Sequence, residues 1–216
     1  MPNEVAGPRD VNGLIQGYHR FREEDWPKQK EEWETLSKGQ KPRVLIIACS
    51  DSRVDPTQIF DAKPGELFVI RNVANLVPPF ETGGGYHGVS AALEFAVTQL
   101  KVGEILIMGH ASCGGCAAAL SQGFKDAEKG AGGFVADWIS LLDEAREKVV
   151  AEKGTGPEAQ TAIEWEGIRS SINNLRTFPF VKEREEAGDL KLRGAWFGIA
   201  HGELRVMKEE GAFEPA

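Results

Sequence analysis

Three short apolar runs, separated and followed by helical patterns, predict an α/β fold with a mainly parallel sheet. The runs are Val44–Ala48, Leu67–Ile70 and Ile105–Met108. Unbroken apolar stretches of this length fit strands covered on both faces, as crossover helices cover a parallel sheet. Residues 86–100, 134–151 and 157–176 instead repeat their apolar positions at helical spacing. Strands that alternate with helices in this way build an α/β domain.

The elements follow in order. Residues 10–25 read as an amphipathic helix, capped by Asp10, with Val11, Leu14, Ile15, Tyr18 and Phe21 near helical spacing. Trp26-Pro27 interrupts it, and Trp33 and Leu36 mark a second helical stretch. Ser37–Gln40 is a loop closed by Pro42, and the first strand follows. The turn signal Pro64-Gly65 precedes the second strand. The helix over 86–100 aligns Val89, Leu93, Val97 and Leu100, and Gly109 closes the third strand. A short helix over 113–122 opens in a glycine pair. Phe134, Trp138, Leu141, Leu142 and Val149 mark one longer helix, and Ile163, Ile168, Ile172 and Leu175 another. Ala195–Ala200 and Glu203–Met207 flank His201-Gly202, a hairpin signal. Lys208–Ala216 reads as a frayed tail. With no internal repeat and no long linker, residues 1–216 read as one domain: a helical arm over 1–39, an α/β core over 40–207 and a tail over 208–216.

Composition narrows the function. The 216 residues carry 25 Lys+Arg against 33 Asp+Glu, a formal charge of −8. An acidic surface argues against nucleic acid or anionic lipid as partner. No stretch approaches the roughly 20 apolar residues of a membrane span. Met1–Asp10 lacks the apolar core of a signal peptide. Three cysteines leave an odd thiol, so a disulfide framework is not expected. The expected location is the cytoplasm, where cysteines serve metal binding or catalysis.

Two loops leave two of the buried strands. One is Cys49-Ser50-Asp51-Ser52-Arg53; the other is His110-Ala111-Ser112-Cys113-Gly114-Gly115-Cys116. Sites of α/β sheets form at the carboxyl ends of the strands. A thiol and a His-x-x-Cys pair at one sheet edge are preferred ligands of Zn²⁺, and three ligands leave an open position for chemistry. Cys116 falls one helical turn beyond Cys113, among alanines, and is read as a small buried neighbour rather than a fourth ligand. The alternative, a Cys113–Cys116 redox pair, leaves Cys49 and His110 idle. Two thiolates cancel the charge of the metal, so its water would be acidified less than at an all-histidine site unless Arg53 or helix amides assist. Asp51 can accept a hydrogen bond from that water, with Arg53 holding the carboxylate by a bidentate pair. A plain salt bridge bracing the loop is the other reading. His19 reads as a surface residue, His201 as a turn residue and His87 as a partly buried residue at a helix start.

The segments Cys49–Val54, Pro64–Val77 and Gly109–Gly115, in this order, resemble the β-class carbonic anhydrases. The resemblance implies reversible hydration of CO₂ to bicarbonate and a proton, by attack of zinc-bound hydroxide. It implies one zinc per subunit on Cys49, His110 and Cys113, with Asp51 and Arg53 as catalytic dyad. It implies a four- or five-stranded sheet and a homodimer whose N-terminal helices embrace the neighbour, often paired into tetramers. Gln40, nine residues before Cys49, is similar to the glutamine of plant-like members with an open zinc. The substrate surface is then Gln40, Phe68, Val73 and Gly114, with Gln40 and Phe68 reaching the site from the adjacent subunit. Two positions depart from that pattern. Phe95 stands where a tyrosine is expected, and Gln99 where some members have a shuttle histidine. The motif does not separate CO₂ from COS or CS₂, and a noncatalytic zinc-stabilised module is the reading from another class.

Overall fold

The computed structural model describes residues 10–83 and 85–216. They fall into two compact units, divided between Gln40 and Lys41.

In the first unit, helix α1 spans Val11–Arg20, and the Asp10 carboxylate caps it by accepting from Gly13 N at 2.8 Å. The chain stays coiled, with a wide turn over Phe21–Asp25 and a tight one over Trp26–Gln29 at Pro27. Helix α2 follows at Lys30–Leu36. Phe21 meets Trp33 edge-on, ring centroids 6.0 Å apart.

In the second unit, the described residues form a six-stranded sheet in the order β2-β1-β3-β4-β5-β6. The strands are β1 Val44–Cys49, β2 Leu67–Asn72, β3 Glu104–His110, β4 Lys191–Gly198, β5 Glu203–Met207 and β6 Phe213–Pro215. The first four are parallel; β5 and β6 run antiparallel to their neighbours. The expected hairpin is therefore present, but the sheet exceeds four or five strands. The extra strand lies in the expected tail. Phe213 is buried and stacks on Trp165 with centroids 5.0 Å apart, so its aromatic face holds a segment that local pattern leaves unassigned.

The remaining helices are α3 Pro56–Ile59, α4 Gly88–Glu94, α5 Gly114–Ser121, α6 Gly133–Ile139, α7 Asp143–Lys153, α8 Pro157–Leu175 and α9 Pro179–Glu186. The single helix expected over 134–151 is two, because Ser140–Leu142 tightens into a 3₁₀ turn. Ser140 Oγ donates to Asp137 O at 2.7 Å there, a back-bond that bends helices. The helix expected over 86–100 is regular only to Glu94 and widens through Phe95–Gln99.

Alternation along β1 explains its unbroken apolar run. Leu45 and Ile47 enter one core cluster, with Leu93 and Val97. Ile46 and Ala48 enter the other, with Leu120 and Leu142. Both faces of the sheet are covered, so neither parity of the strand is free to be polar.

Candidate metal centre and active site

Parallel pairing brings the two loops together. Ala48 pairs with Met108, so Cys49 and His110, at the ends of β1 and β3, lie at one edge of the sheet. Past Gly109 the second loop turns back through Ser112, whose φ of +55° is left-handed, and enters α5 at Cys113. A non-glycine residue in that region is held by its surroundings. Cys49 Sγ and Cys113 Sγ stand 3.9 Å apart. The donor atoms of Cys49, His110 and Cys113 all lie within 4.8 Å of one another, and all three residues are buried.

His110 Nδ1 lies 2.9 Å from the Ala111 carbonyl oxygen. A carbonyl only accepts, so Nδ1 carries the proton and Nε2 presents a lone pair. That Nε2 is buried and has no hydrogen-bond partner. The hydrogen bond shared with Cys113, together with burial, pushes the Cys49 thiol up to about 12. The one shared with Cys116, together with burial, pushes the Cys113 thiol up to about 12. Burial pulls His110 down, but its interaction with Cys49 outweighs this and the net shift is upward. Two sulfurs and an orphaned imidazole nitrogen in one buried cluster fit a soft divalent cation, which draws the thiol protons off on binding. Cys116 is 2% exposed inside α5 and is not one of the three clustered donors.

Asp51 stands beside the donors, with Oδ2 at 4.0 Å from His110 Nε2. Arg53 donates from Nε to Oδ1 at 2.9 Å, from Nη2 to Oδ2 at 2.6 Å and from its own backbone N to Oδ1 at 2.9 Å. These hydrogen bonds hold the Asp51 carboxyl well below the usual carboxylate range. Arg53 Nη2 also donates to Ser112 O at 3.2 Å, which ties the first loop to the second.

The family model for carbonic anhydrase matches residues 44–204. A carbonic anhydrase from Synechocystis is 37% identical over 194 residues, 88% of this chain and 69% of that one. The solved structure of the β-carbonic anhydrase CcaA superposes with a TM-score of 0.88 at 33% identity, covering 95% of this chain and 98% of that one. The chain belongs to the β-class carbonic anhydrases. A solved structure of tetrameric β-carbonic anhydrases from Sordaria macrospora, with a TM-score of 0.70 and 28% identity, covers 94% of each chain. The enzyme hydrates CO₂ reversibly to bicarbonate and a proton, and its cofactor is zinc, for which the Cys-His-Cys group is a fitting site.

The four substrate candidates are placed differently. Val73 follows directly on Asn72, the register partner of Cys49. It lines a cavity of about 490 Å³ together with Asn72, His87, Phe134 and Trp138. Trp138 Nε1 donates to Val73 O at 2.8 Å and holds it there. Gly114 opens α5, and a Cβ on it would meet nothing within 4 Å. Phe68 pairs with Leu45, four positions back along β2. At about 3.3 Å per residue that is about 13 Å from the Cys49 level, so one chain does not bring Phe68 to its own donors. Its ring instead meets that of Phe95 at 6.0 Å. Gln40 is the last residue of the N-terminal unit and is exposed. His87, expected to be partly buried, is exposed at the N-cap of α4, because its ring turns outward to Gly83 O at 3.1 Å.

Two residues of the site have no role in the sequence reading, although Arg71 lies inside the Pro64–Val77 segment. Arg71 reaches from β2 under the first loop, donating to Cys49 O at 2.9 Å, Asp51 O at 2.6 Å and Val54 O at 3.3 Å. Glu164 reaches from α8 to Cys113 N at 3.0 Å. Glu164 did leave a trace in the sequence: at helical spacing from Ile168 and Ile172 it is a carboxylate on an apolar face.

Proposed function

We propose that Cys49, His110 and Cys113 hold the zinc of this carbonic anhydrase and that Asp51 and Arg53 form its catalytic pair. The observation that carries the reading is the double grip of Arg53 on Asp51, 4.0 Å from the orphaned His110 Nε2. Bound zinc supplies a Lewis acid that makes water acidic enough to yield a nucleophile. Asp51, kept ionised by Arg53, is acceptor-only. It takes the hydrogen bond of the attacking oxygen and so leaves a lone pair directed at the carbon of CO₂. Arg53 engages both Asp51 oxygens, which supports an open site in which the aspartate is held away from the donor position. Val73 and Gly114 offer CO₂ a small apolar surface.

Gln40 and Phe68 complete that surface from a second copy of the chain, and the protein is a homodimer or a dimer of dimers. The separation of Phe68 from its own donors supports this, as does the tetrameric relative. Its substrate is CO₂ or bicarbonate, with no nucleic acid or membrane partner; no helix among the described residues is long and apolar enough to cross a membrane. The three cysteines are free thiols, which suits the reducing cytoplasm.

Stopped-flow CO₂ hydration with a pH indicator, on protein of measured zinc content, tests the reading. Rapid proton release that vanishes with the metal is expected. No acceleration at neutral or alkaline pH in fully metallated protein, with turnover of COS or CS₂ in its place, would overturn the substrate. Full activity in Asp51→Ala would remove the pair from the mechanism.

A further inference from the structure

We infer that Glu164 is a positioning residue for the Cys113 sulfur, an inference that rests on Cys113 being a metal ligand. Glu164 is 2% exposed. A carboxylate in that setting is tolerated only when its oxygens are hydrogen-bonded. Three N–H donors converge on it. Cys113 N reaches Oε1 at 3.0 Å, Gln160 Nε2 reaches Oε1 at 2.7 Å and Trp196 Nε1 reaches Oε2 at 3.0 Å. Gln160 Nε2 also lies 3.2 Å from Cys113 O. Two residues one turn apart on α8 therefore hold both backbone polar groups of Cys113.

That loop needs an external hold. Cys113 is the N-cap of α5, and its side chain makes no capping hydrogen bond; its sulfur stands 3.9 Å from that of Cys49. The usual N-cap side chain satisfies a free helix N–H and fixes the entry angle. Here the preceding Ser112 is left-handed, and the grip on Cys113 N comes from a different helix. Glu164 is not among the clustered donors and meets Cys113 at its backbone N. It sets where the Cys113 sulfur stands.

The donor pattern makes the requirement specific to a carboxylate. A glutamine at 164 has one acceptor oxygen and one NH₂. With the oxygen at the Oε1 position, the NH₂ opposes the Trp196 N–H. With the amide turned over, it opposes the donors of Cys113 and Gln160. Neither orientation satisfies the set.

The test uses the holoenzyme and its Co²⁺-substituted form. In Glu164→Gln, zinc transfer to a chromogenic chelator should accelerate by about tenfold or more, the scale for loss of a group behind a ligand. The sulfur-to-cobalt charge-transfer band should shift, and kcat should fall with KM little changed. Trp196→Phe leaves the Cys113 hydrogen bond in place, so its zinc release should stay near that of the parent. Wild-type release and an unchanged cobalt spectrum in folded Glu164→Gln would overturn the inference. So would equal acceleration in Trp196→Phe, which would report loosened packing alone. If Glu164→Gln does not fold, Glu164→Asp carries the same test: it keeps a carboxylate but draws it back from Cys113 N by one methylene, so faster release is expected, and unchanged release overturns the inference. Cys113→Ala separates the two readings. Full zinc occupancy in that variant would sink the ligand assignment, whatever Glu164 does.

Discussion

Arg53 holds Asp51 with both arms of its guanidinium, Nε to Oδ1 at 2.9 Å and Nη2 to Oδ2 at 2.6 Å. A lysine ammonium cannot reproduce that planar fork. Arg53→Lys and Arg53→Ala are therefore expected to keep zinc and lose about 10²-fold in kcat, the scale for removing one preorganised electrostatic contact. Stopped-flow rates with zinc analysis on the same samples check this. Loss of zinc in parallel with activity would assign Arg53 to the fold instead.

The depressed Asp51 carboxyl fixes the sign of a pH effect. A group whose pKa is lower in the folded state stabilises fully above its ordinary pKa, about 4 for an aspartate. That stabilisation is lost as pH falls through the depressed value. The difference in Tm between the parent and Asp51→Asn should be constant from pH 8 to about 5 and close only in strong acid. A gap that closes near neutrality would contradict the ionised pair. Activity should still rise with pH through neutrality, and that titration belongs to water rather than to Asp51. A flat profile would count against it.

Adjacent glycines at the head of α5 should behave differently. A Cβ on Gly115 would sit 2.8 Å from Val73 Cγ1 and 3.0 Å from Ala74 Cβ, whereas one on Gly114 would meet nothing within 4 Å. Gly115→Ala is expected to cost about 1–3 kcal/mol by overpacking. Gly114→Ala should leave Tm unchanged, and altered KM for CO₂ in it would support contact with substrate. Thermal melts of the two variants decide, and equal losses would refute the distinction.

The last strand should matter to stability. Phe213 is 7% exposed, stacks on Trp165 and lies under the Arg169 guanidinium at 5.2 Å. Phe213→Ala should destabilise by about 3 kcal/mol, as other buried aromatic truncations do. Urea unfolding followed by tryptophan fluorescence measures it. A change within a few tenths of a kcal/mol would return the segment to the status of a tail.

Zinc removal by a strong chelator should abolish CO₂ hydration and lower Tm, since a ligand bound only by the folded chain stabilises it. Both should return when zinc is restored. Full hydration activity in protein shown by elemental analysis to lack metal would contradict the zinc site.

The sequence by itself determined the parallel sheet and that Cys49 and His110 leave it at one edge. An unbroken apolar run such as Val44–Ala48 states that both faces of a strand are covered. Parallel strands deliver their carboxyl ends, and with them Cys49 and His110, to one edge. These consequences are local or follow from chain direction, so they survive without knowledge of the partners. Tertiary structure decided the rest. Phe213–Pro215 is too short to carry a period; pairing with β5 and the stacking of Phe213 on Trp165 make it a strand. Phe68 is removed from its own donors by register, since its pairing with Leu45 sets its height on the sheet. Glu164 acquires its task from Cys113, Gln160 and Trp196, two of which are distant in the chain and meet it only when α8 packs over the ends of β3 and β4. A hydrogen bond between distant residues depends on helix rotation and strand register to within a few tenths of an ångström. Residue patterning specifies which faces are covered, and packing specifies which atoms meet.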